Sequence, residues 1–66
     1  MTALEESVLN ISEFEAIRLI DFEKIPQESA AKEMQISQPT LSRILKVGRE
    51  KIADAIINGK AIRIEK

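Results

Sequence analysis

Residues 27–46, QESAAKEMQISQPTLSRILK, constrain the fold of this chain more than any other stretch. The small side chains of Ala30 and Ala31 would let two short helices cross at close range. The spacing therefore predicts a helix over residues 27–34, a turn anchored by Ile36 and a second helix packed on the first, which is a helix-turn-helix. The apolar positions follow helical spacing, break at the short turn and then resume helical spacing: Ala30, Ala31, Met34, Ile36, Leu41, Ile44 and Leu45.

The helix after this turn has recognisable signals at both ends. Ser37 can cap it by accepting a hydrogen bond from the Thr40 amide, and Pro39 would lie in the first turn, where a missing amide costs little. An apolar stripe continues over residues 41–56, and Asn58-Gly59 is a strong C-terminal signal. We expect a helix of about twenty residues, in which Gly48 allows either close packing or a break.

The outer face of this helix carries hydrogen-bonding and cationic groups: Gln38, Ser42, Arg43 and Lys46. Glutamine can pair with adenine edges, arginine with guanine edges, and lysine or serine with phosphate oxygens. Such a face suits the major groove of DNA. For a single polar helix face, a solvated surface on a helical bundle is the alternative, and the whole twenty-residue pattern favours DNA.

The residues before the helix-turn-helix predict one more helix and a strand. Residues 1–7 have no apolar periodicity and should fray, whereas Val8 to Ile11 could be extended. Ser12 and Glu15 form an S-x-x-E capping box, so a helix should run from Glu13 to about Glu23. Its apolar side chains cover more than one face, which indicates a central helix or one partly covered by another chain: Phe14, Ala16, Ile17, Leu19, Ile20 and Phe22.

The C-terminal residues 61–65 alternate as a short strand does. Residues 8–11 are the other candidate strand, so the two could pair within one chain or across a dimer; a disordered tail is the alternative. The pattern as a whole predicts an all-α fold: one domain over residues 1–66, a small helix-turn-helix bundle of three main helices with a long third helix, and a possible terminal strand pair.

Composition excludes several classes of function. A chain of 66 residues can form only one domain, and without cysteine or histidine it lacks thiol chemistry and the usual zinc ligands. We therefore expect no enzyme, metal or cofactor, and the absence of a long apolar run or a signal peptide predicts a cytoplasmic protein. Charge is polarised: residues 1–34 carry eight acids and three bases, net −5, and residues 35–66 carry three acids and seven bases, net +4.

The run from Glu15 to Lys51 resembles the helix-turn-helix domain that closes sigma-70-type transcription factors, with E-x-x-x-L-R-L-like residues before the motif and a basic run after it. Through GKAIRIEK, the chain resembles more closely a family of short, largely uncharacterised prokaryotic predicted DNA-binding proteins with this sigma-like module. Gln35 stands where such motifs often have glycine, and Pro26 where they often have a serine cap. A left-handed non-glycine residue costs roughly 1 kcal/mol, so either Gln35 is strained or the turn differs.

The resemblance implies the fold and DNA binding, and the first interpretation of the whole chain is a sequence-specific DNA-binding transcriptional regulator. Gln38, Ser42 and Arg43 are the expected base contacts, with Pro39 against a thymine methyl or sugar. Arg49 and Lys51 could instead be solvated partners of Glu50 or Asp54. The alternative function is a protein-interaction module that binds RNA polymerase or another regulator through the acidic surface of the first and second helices. RNA binding is disfavoured because the chain has no tryptophan or tyrosine and both phenylalanines fall in the expected core. The expected phosphate contacts are Ser37, Thr40, Lys46 and Arg49.

Surplus apolar surface predicts a homodimer. Phe14 and Ile20 flank Ile17 on one stripe of the first helix, and Ile62 and Ile64 extend beyond the three-helix unit. A chain this small has little against which to bury them. Pairing through these four residues would place two recognition helices on one side of the molecule and their half-sites about 34 Å apart.

Overall fold

The computed structural model describes residues 5–65. Within them, three helices and two strands follow one another as β1 (Glu6–Leu9), α1 (Ile11–Ile17), α2 (Gln27–Met34), α3 (Gln38–Asn58) and β2 (Ala61–Ile64). A π-helical segment, Arg18–Phe22, continues α1. The fold is mostly helical, as predicted, with a small sheet. No helix in the described part is long and apolar enough to cross a membrane.

The two strands pair in parallel within one chain, with Ser7 opposite Ile62 and Leu9 opposite Ile64. Pairing within the chain is thus the alternative that the structure adopts, and the disordered C-terminal tail is wrong for residues 61–64. β1 begins at Glu6, earlier than the expected residue 8, so the prediction of fraying is wrong for Glu6 and Ser7. For residues 1–4 the same prediction lies outside the described residues.

The first helix begins two residues earlier than predicted because a different residue caps it. The Asn10 side chain accepts a hydrogen bond from the Glu13 amide at 2.8 Å, and the Glu13 carboxylate accepts one from the Asn10 amide at 3.0 Å. This reciprocal pair is a capping box, so the predicted box of Ser12 and Glu15 is wrong. Glu15 instead receives two hydrogen bonds from the Arg18 guanidinium, at 2.9 and 3.1 Å.

The first helix ends where expected, but its last part is π-helical. The Glu23 amide donates to the Arg18 carbonyl at 2.8 Å, a bond that spans five residues. Lys24 then takes a left-handed conformation with φ 62° and redirects the chain toward α2. The π-helical segment carries Asp21, which pairs with Arg49 of α3.

The connection between α2 and α3 follows the predicted turn. Gln35 is left-handed with φ 59°, so the strained alternative is the one adopted, and Ile36 packs against the core. Ser37 caps α3 by accepting a hydrogen bond from the Thr40 amide at 3.2 Å, which confirms the predicted cap. The helix passes through Gly48 without a break and ends at left-handed Gly59, φ 65°, also as predicted.

A single core lies between the helices. Its fully buried centre is Leu41 and Leu45 of α3, against which the small residues of α2 pack closely, as their size predicts. Gly48 explains the close approach of α1, because a Cβ atom there would lie 2.9 Å from the Ile17 Cδ1 atom. The remaining buried members of this cluster are Ala16, Leu19, Ala30 and Ala31.

Candidate nucleic-acid interface

The predicted recognition residues of α3 share an exposed surface. Gln38, Pro39 and Ser42 line a shallow concavity together with Gln27, the first residue of α2. The neighbouring concavity along α3 is again lined by Gln27 and Ser42, and also by Lys46 and Arg49. Thr40 is half-buried, whereas the other six predicted α3 residues are exposed: Gln38, Pro39, Ser42, Arg43, Lys46 and Arg49.

Arg43 lies on the same exposed part of α3 but outside the two concavities. Successive helical residues are about 100° apart, so its side chain leaves the helix to one side of Ser42. Among residues 5–65, neither Arg43 nor Lys46 has a carboxylate within salt-bridge distance. Both cations are therefore available to an external anion.

The two hydroxyl groups at the start of α3 bond to each other. The Ser37 hydroxyl donates to Thr40 Oγ1 at 2.8 Å while its oxygen accepts the Thr40 amide. Ser37 thus uses its only donor inside the chain. The Thr40 hydroxyl accepts from Ser37 and keeps its own hydrogen for another acceptor. Of the two hydroxyl groups predicted to contact phosphate, that of Thr40 is therefore the better placed.

The positive half of the chain is largely neutralised by the acidic half. Four of its seven bases pair with acids from residues 1–34. Ion pairs between the oppositely charged halves therefore hold the two halves together. Only part of the net +4 charge of residues 35–66 remains available to an external partner. The four pairs are Arg49 with Asp21 at 2.6 Å, Lys51 with Glu13 at 2.8 Å, Lys60 with Glu5 at 3.7 Å, and Arg63 with Glu6 at 3.3 Å.

Arg49 is the predicted phosphate contact whose environment differs most from expectation. Its Nε and Nη2 atoms donate to the two Asp21 carboxylate oxygens at 3.1 and 2.6 Å. These hydrogen bonds lower the pKa of Asp21, partial burial opposes the shift, and the charges of Arg49 and Lys24 add to it. The suggested partners Glu50 and Asp54 are therefore wrong for Arg49. Lys51 likewise pairs with Glu13 instead.

Sequence reasoning missed the buried carboxylate of Glu13. Its side chain is only 7% exposed and accepts a 2.8 Å hydrogen bond from Lys51 Nζ on α3. Burial raises the pKa of Glu13, but the bonds from Lys51 and the Asn10 amide outweigh it and the net shift is downward. Ser7 adds a 2.8 Å bond to the Lys51 carbonyl, so β1, α1 and α3 are tied at one point. The N-x-x-E spacing from Asn10 was the available signal.

The four predicted dimer residues divide into two groups. Phe14 and Ile64 lie along an apolar groove between α1, α3 and the sheet, which Phe22 and Ile52 also line. Ile62 is 47% exposed, whereas Ile20 packs against the core and is only partly available. Phe22, which was predicted to lie in the core, is 78% exposed at the edge of the same groove, so that prediction is wrong for Phe22.

Comparison with known proteins places the sequence in one group. A family model described as protein of unknown function DUF134 matches residues 2–66. UPF0251 proteins of Thermoanaerobacter pseudethanolicus and Caldanaerobacter subterraneus are 51% and 52% identical over 65 residues, covering 98% of this chain and 55% of each relative. One from Moorella thermoacetica is 56% identical over 62 residues, which are 94% of this chain and 42% of the relative.

The chain thus spans about half the length of these relatives. No solved structure matches it.

Proposed function

This chain belongs to the DUF134 family, and we propose that it binds double-stranded DNA as a transcriptional regulator, with the first half of α3 in the major groove. We infer that α2, the turn and α3 form a sigma-70 region 4-like helix-turn-helix, an inference that the short turn through Gln35 and the Ser37 cap support. Gln38, Ser42 and Arg43 read base edges, and Pro39 contacts a thymine methyl or sugar.

One observation carries the proposal. Arg43 and Lys46, which have no carboxylate partner within residues 5–65, lie on an exposed helix face beside Gln38 and Ser42. Unneutralised cations next to hydrogen-bonding side chains are what phosphate and base recognition require. Lys46 and Thr40 serve as phosphate contacts, Ser37 orients Thr40, and Arg49 stands apart because Asp21 occupies it.

The start of α2 adds donors to the same surface. Pro26 precedes the helix and provides no side-chain cap, and Gln27 lines both concavities beside α3. The free amides at a helix N-terminus favour an anion such as a phosphate oxygen. A DNA backbone running past α2 would therefore meet donors from two helices.

Binding through the acidic residues to RNA polymerase is the alternative function. Asp21 and Glu13 of that half already pair with bases of α3. Fewer of its carboxylates are free for a basic partner than the sequence suggests, so DNA binding is preferred.

A homodimer is part of the proposal. A second copy would cover the apolar groove that contains Phe14 and Ile64, together with Ile62 and the exposed part of Ile20. Arg18 lines this groove and is paired with Glu15, so covering the groove does not leave Arg18 without an acidic partner. Sedimentation at micromolar concentration should give a species twice the 7.4 kDa chain mass; a 7.4 kDa species would contradict the dimer.

The direct test of function is fluorescence anisotropy with a labelled duplex of random sequence at low salt. We expect binding that weakens as salt rises, since a sequence-independent phosphate term supports all DNA binding. Lys32→Ala is the matched control for Lys46→Ala, because Lys32 is an exposed cation on α2. Lys46→Ala should weaken binding and Lys32→Ala should leave it unchanged; absence of binding by the unaltered chain would contradict the function.

A further inference from the structure

Asp21 and Arg49 form an ion pair at the border of the proposed DNA surface. Arg49 lines the concavity with Ser42 and Lys46, and Asp21 binds Arg49 from the π-helical segment of the first helix. Twenty-eight residues separate the two in sequence, so tertiary packing brings them together.

The geometry of the pair is the one in which a guanidinium binds a phosphate. Asp21 accepts from Nε and Nη2 of Arg49 at 3.1 and 2.6 Å, one hydrogen bond to each carboxylate oxygen. The same two-pronged arrangement is used for bidentate recognition of phosphate oxygens. The carboxylate therefore takes the donors that a DNA phosphate would use.

Charge adds to this competition. The pair is neutral, so Arg49 displaces no counterion from DNA while Asp21 holds it. Both side chains are partly exposed, 52% for Arg49 and 38% for Asp21, and an exposed ion pair contributes little to stability. Its removal is thus expected to leave the fold intact.

We propose that Asp21 is an intramolecular phosphate mimic that withholds Arg49 from DNA and so limits affinity for DNA of any sequence. The inference rests on the proposed DNA binding and adds a regulatory residue to that site. Because phosphate contacts carry no sequence information, the restraint weakens specific and non-specific binding alike. Stable binding then requires the base contacts of Gln38 and Arg43, which only a preferred site supplies.

The experiment compares Asp21→Asn with Asp54→Asn in the full chain. Both substitutions remove one carboxylate from an ion pair, and Asp54, paired with Lys60, lies about 140° around α3 from Arg49. The probe is a random-sequence duplex, and affinity is measured over a range of salt. Asp21→Asn should bind about threefold or more tightly at low salt, with a log-log salt slope steeper by about 0.9 per protomer, the value of one added phosphate contact.

A double substitution shows whether Arg49 carries the effect. Asp21→Asn in an Arg49→Ala background should give no gain in affinity, since the cation it would release is gone. Thermal unfolding by circular dichroism establishes that each variant is folded, and if Asp21→Asn were unfolded, Asp21→Ser would replace it under the same expectation.

Three outcomes overturn the inference. If the unaltered chain binds DNA and Asp21→Asn binds it equally or more weakly, then Asp21 does not restrain DNA binding. The proposed function is unaffected by that result. Equal gains for Asp21→Asn and Asp54→Asn indicate a general charge effect instead of a mimic. No binding by the unaltered chain or either variant overturns the proposed function and this inference together.

Discussion

The two halves of α3 differ in what they do with their charges. In the first half, Arg43 and Lys46 have no acidic partner among residues 5–65. In the second half, Arg49 and Lys51 are held by acids of the first helix. The last turns also expose Ile57, 80% accessible. One continuous helix thus has cations without acidic partners at one end and, at the other, paired cations and an exposed apolar side chain.

This difference shows why counting charges along a sequence is a poor measure of DNA-binding surface. The C-terminal half of the chain has net charge +4, but four of its bases neutralise acids from the N-terminal half. Among residues 35–65, the cations nearest the turn, Arg43 and Lys46, are the ones without an acidic partner. The predictions below test whether the two halves of α3 differ in stability, in recognition and in response to pH.

The largest expected effect is on the free energy of unfolding and comes from a buried residue in the first half of α3. Leu41 is fully buried, so Leu41→Ala should lower the free energy of unfolding by about 2–5 kcal/mol through lost burial and a cavity. Ile57→Ala, in the exposed second half, should change it by less than about 0.5 kcal/mol. Urea denaturation measures both, and similar losses would contradict the assignment of Ile57 to the surface.

The second largest expected effect is on DNA recognition by residues in the first half of α3. Arg43→Ala should cost about 1–3 kcal/mol on a preferred site and relax sequence preference there, whereas Lys46→Ala should weaken all sequences alike. The preferred site comes from selection of bound fragments of genomic DNA. Equal losses on selected and random duplexes for Arg43→Ala would show that Arg43 contacts only the backbone.

A smaller effect concerns the ion pair that anchors the second half. Glu13→Gln leaves Lys51 without its carboxylate and should cost about 1–2 kcal/mol, since Lys51 is partly exposed and can be hydrated. If Glu13 contributed nothing, the variant would unfold at the same urea concentration as the unaltered chain.

The carboxylates of Glu13 and Asp21 make the stability of the fold depend on pH in a defined direction. The pKa values of Glu13 and Asp21 lie below their ordinary values of 4.5 and 3.8 in the folded chain. A depressed carboxylate pKa contributes stability that is present above the unfolded pKa and lost as pH falls through the folded one. Tm should therefore fall below about pH 4.5, and Glu13→Gln should reduce the part of this fall that the charge of Glu13 causes.

Local features of the fold could be predicted from the sequence. The α2 spacing, the Ser37 cap and the Gly59 stop each depend on residues close together in the chain, and the structure has all three. Gln35 was also identified, because its position in the turn demands a left-handed residue. Membership of a family of uncharacterised proteins followed from the run of residues between Glu15 and Lys51 and beyond.

Features that depend on distant partners could not be predicted. Two spacings in the sequence match a capping box, Asn10-x-x-Glu13 and Ser12-x-x-Glu15. The structure uses the first, and its Glu13 also accepts a hydrogen bond from Lys51 of α3, a contact that the local sequence does not indicate. The sequence places Asp21 and Arg49 twenty-eight residues apart, and only the packing of the first helix on α3 joins them. The π-helical geometry around Asp21 likewise has no local signature.

The central claim is that Arg43 and Lys46, the free cations of the first half of α3, supply the cationic contacts to DNA, and the salt dependence of DNA binding tests it most directly. Arg43 and Lys46, if both meet the backbone at a random duplex, should give a slope of log affinity against log salt near −1.8 per protomer, at about −0.9 for each phosphate. Engagement of the whole +4 half would give roughly −3.6. A slope near −1.8 supports the account, and a slope near −3.6 contradicts it.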